Sequence, residues 1–265
     1  MGTQPTDLII EETEGCARIL RFNRPEARNA QSAGLLTALE KGLATAERDT
    51  NVRAVVLTGS GQDFCAGADL KALQEISRRS SDDNLADSHR LAQLLRRIHT
   101  LHKPVIAAVH GHALAGGSGL ACVCDYVVAT HDAKFGFTEA RIGFIAAIVS
   151  TFLIDRVGMG RARELLLSAR VFDCEEALHI GLVNLRVEPA HLLDRALEVA
   201  HQWSRSSPSS LALTKQLLSK IRGSNLEDAL DLATRMNAET RATPDCKEGI
   251  AAFLEKRQPS WVKER

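Results

Sequence analysis

The chain has 265 residues, 45% of them hydrophobic and 25% charged, which fits one large α/β domain or a core domain with a small helical annex. Lys+Arg and Asp+Glu both number 33, so the cationic surplus that a general nucleic-acid binder needs to displace counterions is missing. Aromatics make up only 4%, so a core has to be built from Leu, Ile, Val and Ala.

In chain order, residues 8–12 and 17–23 read as two strands around a turn at Glu14-Gly15. Leu35, Leu36, Leu39 and Leu43 recur at helical spacing and predict a helix over 32–48. Residues 54–58 form a short apolar strand stopped by Gly59-Ser60-Gly61, and continuous apolar runs of this kind suit strands covered on both faces. The polar stretch 77–84 reads as a mobile loop before a helix over 85–101. Pro104 opens a strand over 105–109. The span from Pro104 to Cys124 holds no Asp, Glu, Lys or Arg and is long enough to cross a membrane, but its β-branched first half and Gly-rich second half read as a buried strand, a turn and a buried helix. Residues 126–129 and 134–137 are short strands, and Asp173-x-x-Glu176 is a helix N-cap pattern with Gly181 as its stop. Beyond Pro189 helical patterns dominate, started by Ser207-Pro208 and Thr243-Pro244, where Pro suits the first helical position. The expected organisation is a core over 1–190 and a helical region over 191–265. Six cysteines without a CxxC pair read as buried, reduced thiols, and Cys122-x-Cys124 lacks the second half of a zinc site, so no metal is expected. No signal-peptide pattern is read, and a cytoplasmic protein is expected.

Four segments carry candidate chemistry. In Phe64–Lys71 the small residues Ala66, Gly67 and Ala68 let a ligand approach the main chain just before a helix. Ala115-Gly116-Gly117-Ser118-Gly119 repeats the theme at a second helix start, where N–H groups lack intrahelical partners. Two such turns can hold one oxygen between two N–H groups, the geometry of an oxyanion hole, or can be tight turns and close helix crossings that need small residues. Glu139 is an acid among apolar neighbours; desolvation would suit it to proton transfer, and pairing with Arg141 or exposure to water is the alternative. Arg24–Ala30 completes the set. His110 and His112, on either side of Gly111, read as satisfied rather than catalytic histidines.

Taken together, Asn23–Ala30, Phe64–Lys71, Lys103–Gly111 with the Gly-rich turn and Cys124-Asp125, Phe135–Gly143 and Gly160–Val183 resemble the enoyl-CoA hydratase/isomerase (crotonase) family over residues 8–190. The resemblance implies an α/β fold of crotonase-like repeated ββα units forming two packed sheets, with a C-terminal helical trimerisation region. It implies an acyl-CoA substrate whose thioester oxygen sits between the N–H groups of Ala68 and Gly116. Glu139 would be the acid/base. Arg28, Ala30, Ala66, Gly67, Asp69, Leu70, Lys71, Gly117 and Gly119 would form the substrate and CoA-binding segments. It implies no separate cofactor, since coenzyme A is part of the substrate, no nucleic-acid or membrane partner, and a homotrimer or dimer of trimers. Members with two catalytic glutamates carry the first where this chain has Gly119. One glutamate suffices for a double-bond shift, and can also serve hydration with water held by main chain or by Ser118. The Gly-rich turn and the Glu139 segment are similar to bacterial methylglutaconyl-CoA hydratase-like sequences. Hydration of a 2-enoyl-CoA is therefore the preferred expectation. An isomerase, a thioester hydrolase and a non-catalytic CoA-binding protein are the alternatives.

Overall fold

A computed structural model describes residues 7–69, 73–75 and 78–262. Its frame is a six-stranded sheet of β1 (Ile9–Glu14), β2 (Ala17–Phe22), β3 (Ala54–Gly59), β4 (Val105–Val109), β6 (Tyr126–Thr130) and β9 (Leu185–Val187), in the order β1-β2-β3-β4-β6-β9. Only β1 runs antiparallel to its neighbour; the other pairs are parallel. A second, three-stranded sheet sets β5 (His112–Leu114) and β8 (Val171–Asp173) on either side of β7 (Lys134–Gly136). This is the expected two-sheet α/β architecture, and β5, β8 and β9 are strands that the sequence pattern does not announce.

Every residue of β3 and of β4 is buried, as continuous apolar runs require when both faces are covered. One face carries the main core, with α1 (Ala33–Arg48), α2 (Ser81–Thr100), α3 (Gly116–Val123) and α4 (Ala147–Ser168). α1 is capped by the Ser32 hydroxyl and buries Leu35, Leu39, Gly42, Leu43 and Ala46 along one stripe. α4 consists of two helical pieces that meet at Gly158, whose φ of 76° interrupts the helix. A short helix, α5 (Cys174–His179), begins at the Asp173 cap that the sequence predicts.

The sheet's other face is covered by α6 (Leu192–Ser204), which buries Leu192, Ala196 and Ala200 against Ala17, Ile19, Val56 and Ile106. α6 lies beyond residue 190, where the core was expected to end, and packs on the sheet. It is followed by α7 (Pro208–Ile221), α8 (Leu226–Thr240) and α9 (Pro244–Glu255). Ser207 and Thr243 cap α7 and α9 with Pro at the first turn, as read from the sequence. Ion pairs from Lys215 to Asp125 and from Arg222 to Asp155 tie α7 to the core.

α2 starts at Ser81 rather than 85, because the Ser80 hydroxyl accepts from the Asp83 N–H, so Ser81–Asn84 is helix and not loop. Ser77 lies outside the described residues, as do Leu70 and Lys71. The uncharged span from Pro104 to Cys124 folds as β4, β5 and α3, and among the described residues no helix is long and apolar enough to cross a membrane. All six cysteines are free; four are buried and Cys16 and Cys246 are partly buried.

Candidate active site

The first turn leaves β3 at Gly59 and is organised by Asn29, a residue that sequence reasoning did not single out. Asn29 is fully buried with a φ of 54°; its amide donates to the carbonyls of Ser60 at 2.9 Å and Asp63 at 2.7 Å, and its Oδ1 accepts from the Arg24 N–H at 2.9 Å. It thus fastens the 24–30 segment to the 59–63 turn. Arg24 adds a bond to the Ala30 carbonyl at 2.7 Å and an ion pair to Asp69 at 2.8 Å. Further along, the Gln31 N–H donates to the Gly67 carbonyl at 2.7 Å and the Asp69 N–H to the Gln31 carbonyl at 3.2 Å. Ala68 sits between these two bonds with its own surface exposed.

The second turn is pressed against the first. The Cys65 N–H donates to the His112 carbonyl and the Leu114 N–H to the Cys65 carbonyl, both at 3.0 Å. A Cβ added to Gly67 would lie 2.9 Å from the Leu114 oxygen and 3.6 Å from the Gly116 nitrogen, and one added to Gly117 would lie 2.0 Å from the Cys65 oxygen. Glycine at 67 and 117 is therefore a condition for the two turns to meet. Gly116 opens α3 with no side-chain cap ahead of it, and the first N–H groups of a helix have no intrahelical partner. The residue before it, Ala115, holds φ 47° and ψ −120°, a conformation disfavoured for any residue with a Cβ and costing on the order of 1–3 kcal/mol. Its N–H donates to the Gly136 carbonyl at 2.7 Å and its carbonyl accepts from the Gly119 N–H at 3.0 Å, which fixes the strained turn.

Glu139 follows β7 by three residues and starts a short 3-10 turn that ends at Gly143. Its side chain makes no bond to Arg141; Oε2 is shielded from water without a hydrogen-bond partner, and burial raises its pKa above the ordinary carboxylate value. The chain that β7 carries up to Ala115 thus presents a half-buried carboxyl with one oxygen lacking a hydrogen-bond partner, an environment suited to proton transfer.

A family model described as enoyl-CoA hydratase/isomerase matches residues 11–264. The chain belongs to the enoyl-CoA hydratase/isomerase family. The 2,3-dehydroadipyl-CoA hydratase of Escherichia coli is 38% identical over 258 residues, covering 97% of this chain and 98% of the relative. The short-chain-enoyl-CoA hydratase of Clostridium acetobutylicum is 35% identical over 263 residues, covering 97% and 98% respectively. A crystal structure of the Mycobacterium smegmatis enoyl-CoA hydratase superposes with a TM-score of 0.88 at 34% identity, over 96% of this chain and 98% of that one. The fold and the enzyme class expected from the sequence are thereby established.

Several further candidate residues of this hydratase/isomerase are buried or already engaged. Asp69 is buried and paired with Arg24, and Ala30 is buried with its carbonyl bonded to the same guanidinium, so both shape the first turn. Gly117 and Gly119 are buried packing positions: a Cβ at Gly119 would stand 2.5 Å from a Val149 methyl, so α4 fills the space where a longer side chain would go. Ser118 is buried, with its hydroxyl donating to the Ala113 carbonyl and accepting from the Gly136 N–H. Ala66 and the exposed Ala68 remain surface positions. Arg28 is half exposed, but its Nε donates to Asp63 at 2.7 Å, so a phosphate would share that guanidinium with a carboxylate.

The surroundings of Asp63 explain the histidines. Burial pushes the Asp63 carboxyl up, but bonds from Arg28 and from the side chain and N–H of His112 outweigh it and hold the pKa at about 2. His110 lies within 3.2 Å of the Gly61 carbonyl, and its partial burial lowers its pKa. Both imidazoles are satisfied, as expected. A cavity of about 1300 Å³ opens at the opposite ends of the strands, between Cys16, Arg53, α6 and Trp261. On its wall Arg53 donates to the carbonyls of Ser206 and Trp261, and Lys103 to those of Ala46 and Asp49.

Proposed function

We propose that this enzyme hydrates a 2-enoyl-CoA, with the thioester oxygen held by the N–H groups of Ala68 and Gly116 and with Glu139 as the single acid/base. The observation that carries the reading is the meeting of the two turns. Gly67 and Gly117 allow a contact that any side chain would block, and that contact brings the main chain of residues 67–68 against the start of α3. When water adds to the β-carbon, the electron pair of the double bond moves onto the thioester oxygen, where aligned N–H donors stabilise it without reorganising. Glu139 takes the proton from the attacking water and returns one to the α-carbon. Its raised pKa brings the carboxyl nearer to the working pH, which favours both transfers.

One observation favours a second reading. Val149 occupies the room beside Gly119, so the site offers one carboxylate, and one carboxylate is enough to move a double bond from one position to its neighbour. The assay that separates the readings follows loss of the conjugated enoyl absorbance, appearance of a shifted double bond and release of free thiol. It uses short, dicarboxylic and branched 2-enoyl-CoAs, including one of the methylglutaconyl type. Hydration should dominate and should fall on the order of a hundredfold or more in Glu139→Gln. Equal turnover in wild type and variant would remove Glu139 from the mechanism. Thiol release as the main product would replace the hydratase by a hydrolase, and binding without turnover by a CoA-binding protein.

The exposed apolar residues Leu226, Leu230, Ile250, Phe253 and Leu254 on α8 and α9 support assembly with further copies, as a homotrimer or dimer of trimers. Light scattering on the purified protein measures this. Coenzyme A enters as part of the substrate, with no separate cofactor, and free thiols fit a cytoplasmic setting.

A further inference from the structure

Ser118 lies two residues beyond Gly116 and is completely buried, yet both hydrogen-bonding capacities of its hydroxyl are used. Oγ donates to the Ala113 carbonyl at 2.6 Å and accepts from the Gly136 N–H at 3.1 Å. A serine in a helix usually bonds back to the carbonyl four residues earlier. Here the acceptor is five residues back, in β5, so the bond crosses from helix to strand. The other end of the junction is also closed, because the Gly136 carbonyl accepts from the Ala115 N–H at 2.7 Å. Gly136 is thus gripped at both main-chain groups by residues on either side of Gly116. The register pairs Leu114 with Gly136, so the hydroxyl braces this rung of the β5–β7 ladder from α3.

From Gly136 the chain has little freedom before the acid. Phe137 is buried and stacks on Phe172, and the 3-10 turn begins at Glu139. Displacing Gly136 relative to α3 therefore displaces Glu139 relative to Gly116. We infer that Ser118 is a positioning residue that sets the spacing between the Gly116 N–H and the Glu139 carboxyl. The inference rests on the reading that these two groups act on one thioester. A misplacement of about 1 Å at reacting groups can cost on the order of a hundredfold in rate, so a loosened rung registers in kcat before it registers in binding.

The test compares wild type, Ser118→Ala, Ser118→Cys and Glu139→Gln in the full-length protein. Each is measured for kcat and KM on a 2-enoyl-CoA, for Tm, and for the near-ultraviolet absorbance of bound 3-ketoacyl-CoA, whose enolate reports stabilisation of charge on the thioester side. Ser118→Ala should lose roughly tenfold or more in kcat with KM held within about threefold, and should bind less of the ketoacyl ligand as enolate. Ser118→Cys keeps the shape with a weaker donor and should fall between the two. If both variants fold and keep wild-type kcat and enolate signal, or if neither yields folded protein, the hydroxyl serves the fold alone and the inference is overturned. Absence of turnover by wild type on every 2-enoyl-CoA would instead overturn the reading of the site; wild-type activity lost in Glu139→Gln but not in the Ser118 variants would overturn only this inference.

Discussion

One methyl group at Gly117 should disable the enzyme without touching any group proposed to contact substrate. The added Cβ of Gly117→Ala would stand 2.0 Å from the Cys65 carbonyl oxygen. Relief to an ordinary contact needs a separation of the turns of about 1 Å, a displacement large enough to cost on the order of a hundredfold when it falls on reacting groups. The obstacle is main chain, which in turn accepts the Leu114 N–H at 3.0 Å, so no side-chain rotation can absorb it. The movement has to open the gap between Ala68 and Gly116, and losing one oxyanion donor costs about a hundred- to a thousandfold in kcat. Overpacking of a buried contact also destabilises by about 1–3 kcal/mol, which lowers Tm by several degrees but leaves the protein folded at 25 °C. The assay is the initial rate of enoyl absorbance loss at saturating substrate, beside a thermal melt. A folded Gly117→Ala enzyme with kcat within about threefold of wild type would refute the argument that this glycine lets the two turns form one oxygen site.

Two further perturbations test the electrostatics and the packing. Glu139 has a raised pKa in the folded state, so its contribution to stability is fully present below the pKa of an unfolded glutamate, about 4.3, and is lost as pH rises through the folded value. Glu139→Gln should therefore melt higher than wild type at neutral pH, with the difference vanishing towards pH 4; a variant that melts lower at neutral pH would show that the carboxylate is stabilised rather than desolvated. Gly119→Ala should cost about 1–3 kcal/mol through the 2.5 Å approach to the Val149 methyl, and Val149→Ala in the same chain should recover most of it. Additive losses in that double-mutant cycle would mean that the two positions do not share the space.

The parts of this molecule legible in the sequence are those whose physics is local. β3 and β4 read as buried strands because burial on both faces leaves an unbroken apolar run. The Pro-started helices α7 and α9 read correctly because their caps lie within four residues. The start of α2 was legible too, in Ser80 and Asp83, but the polarity of 81–84 outweighed the cap; those residues lie on a helix that is exposed at its beginning. β5, β8 and β9 have three residues each, too few for an alternation to show. The small residues at 66–68 and 116–117 mark the candidate site, but their meeting depends on two segments almost fifty positions apart. Asn29 was silent for the same reason: its importance comes from carbonyls at 60 and 63. Ser118 drew notice as a holder of water, and only the burial of its hydroxyl between Ala113 and Gly136 turns it into a brace.

The central claim concerns where the thioester oxygen rests, and a crystal structure with a bound 2-enoyl-CoA or 3-ketoacyl-CoA measures that position directly. The account predicts the oxygen within about 3.1 Å of both the Ala68 and the Gly116 nitrogens, with the Glu139 carboxyl facing the α- and β-carbons. An oxygen bound to neither amide, with Glu139 turned away from the acyl chain, would contradict it.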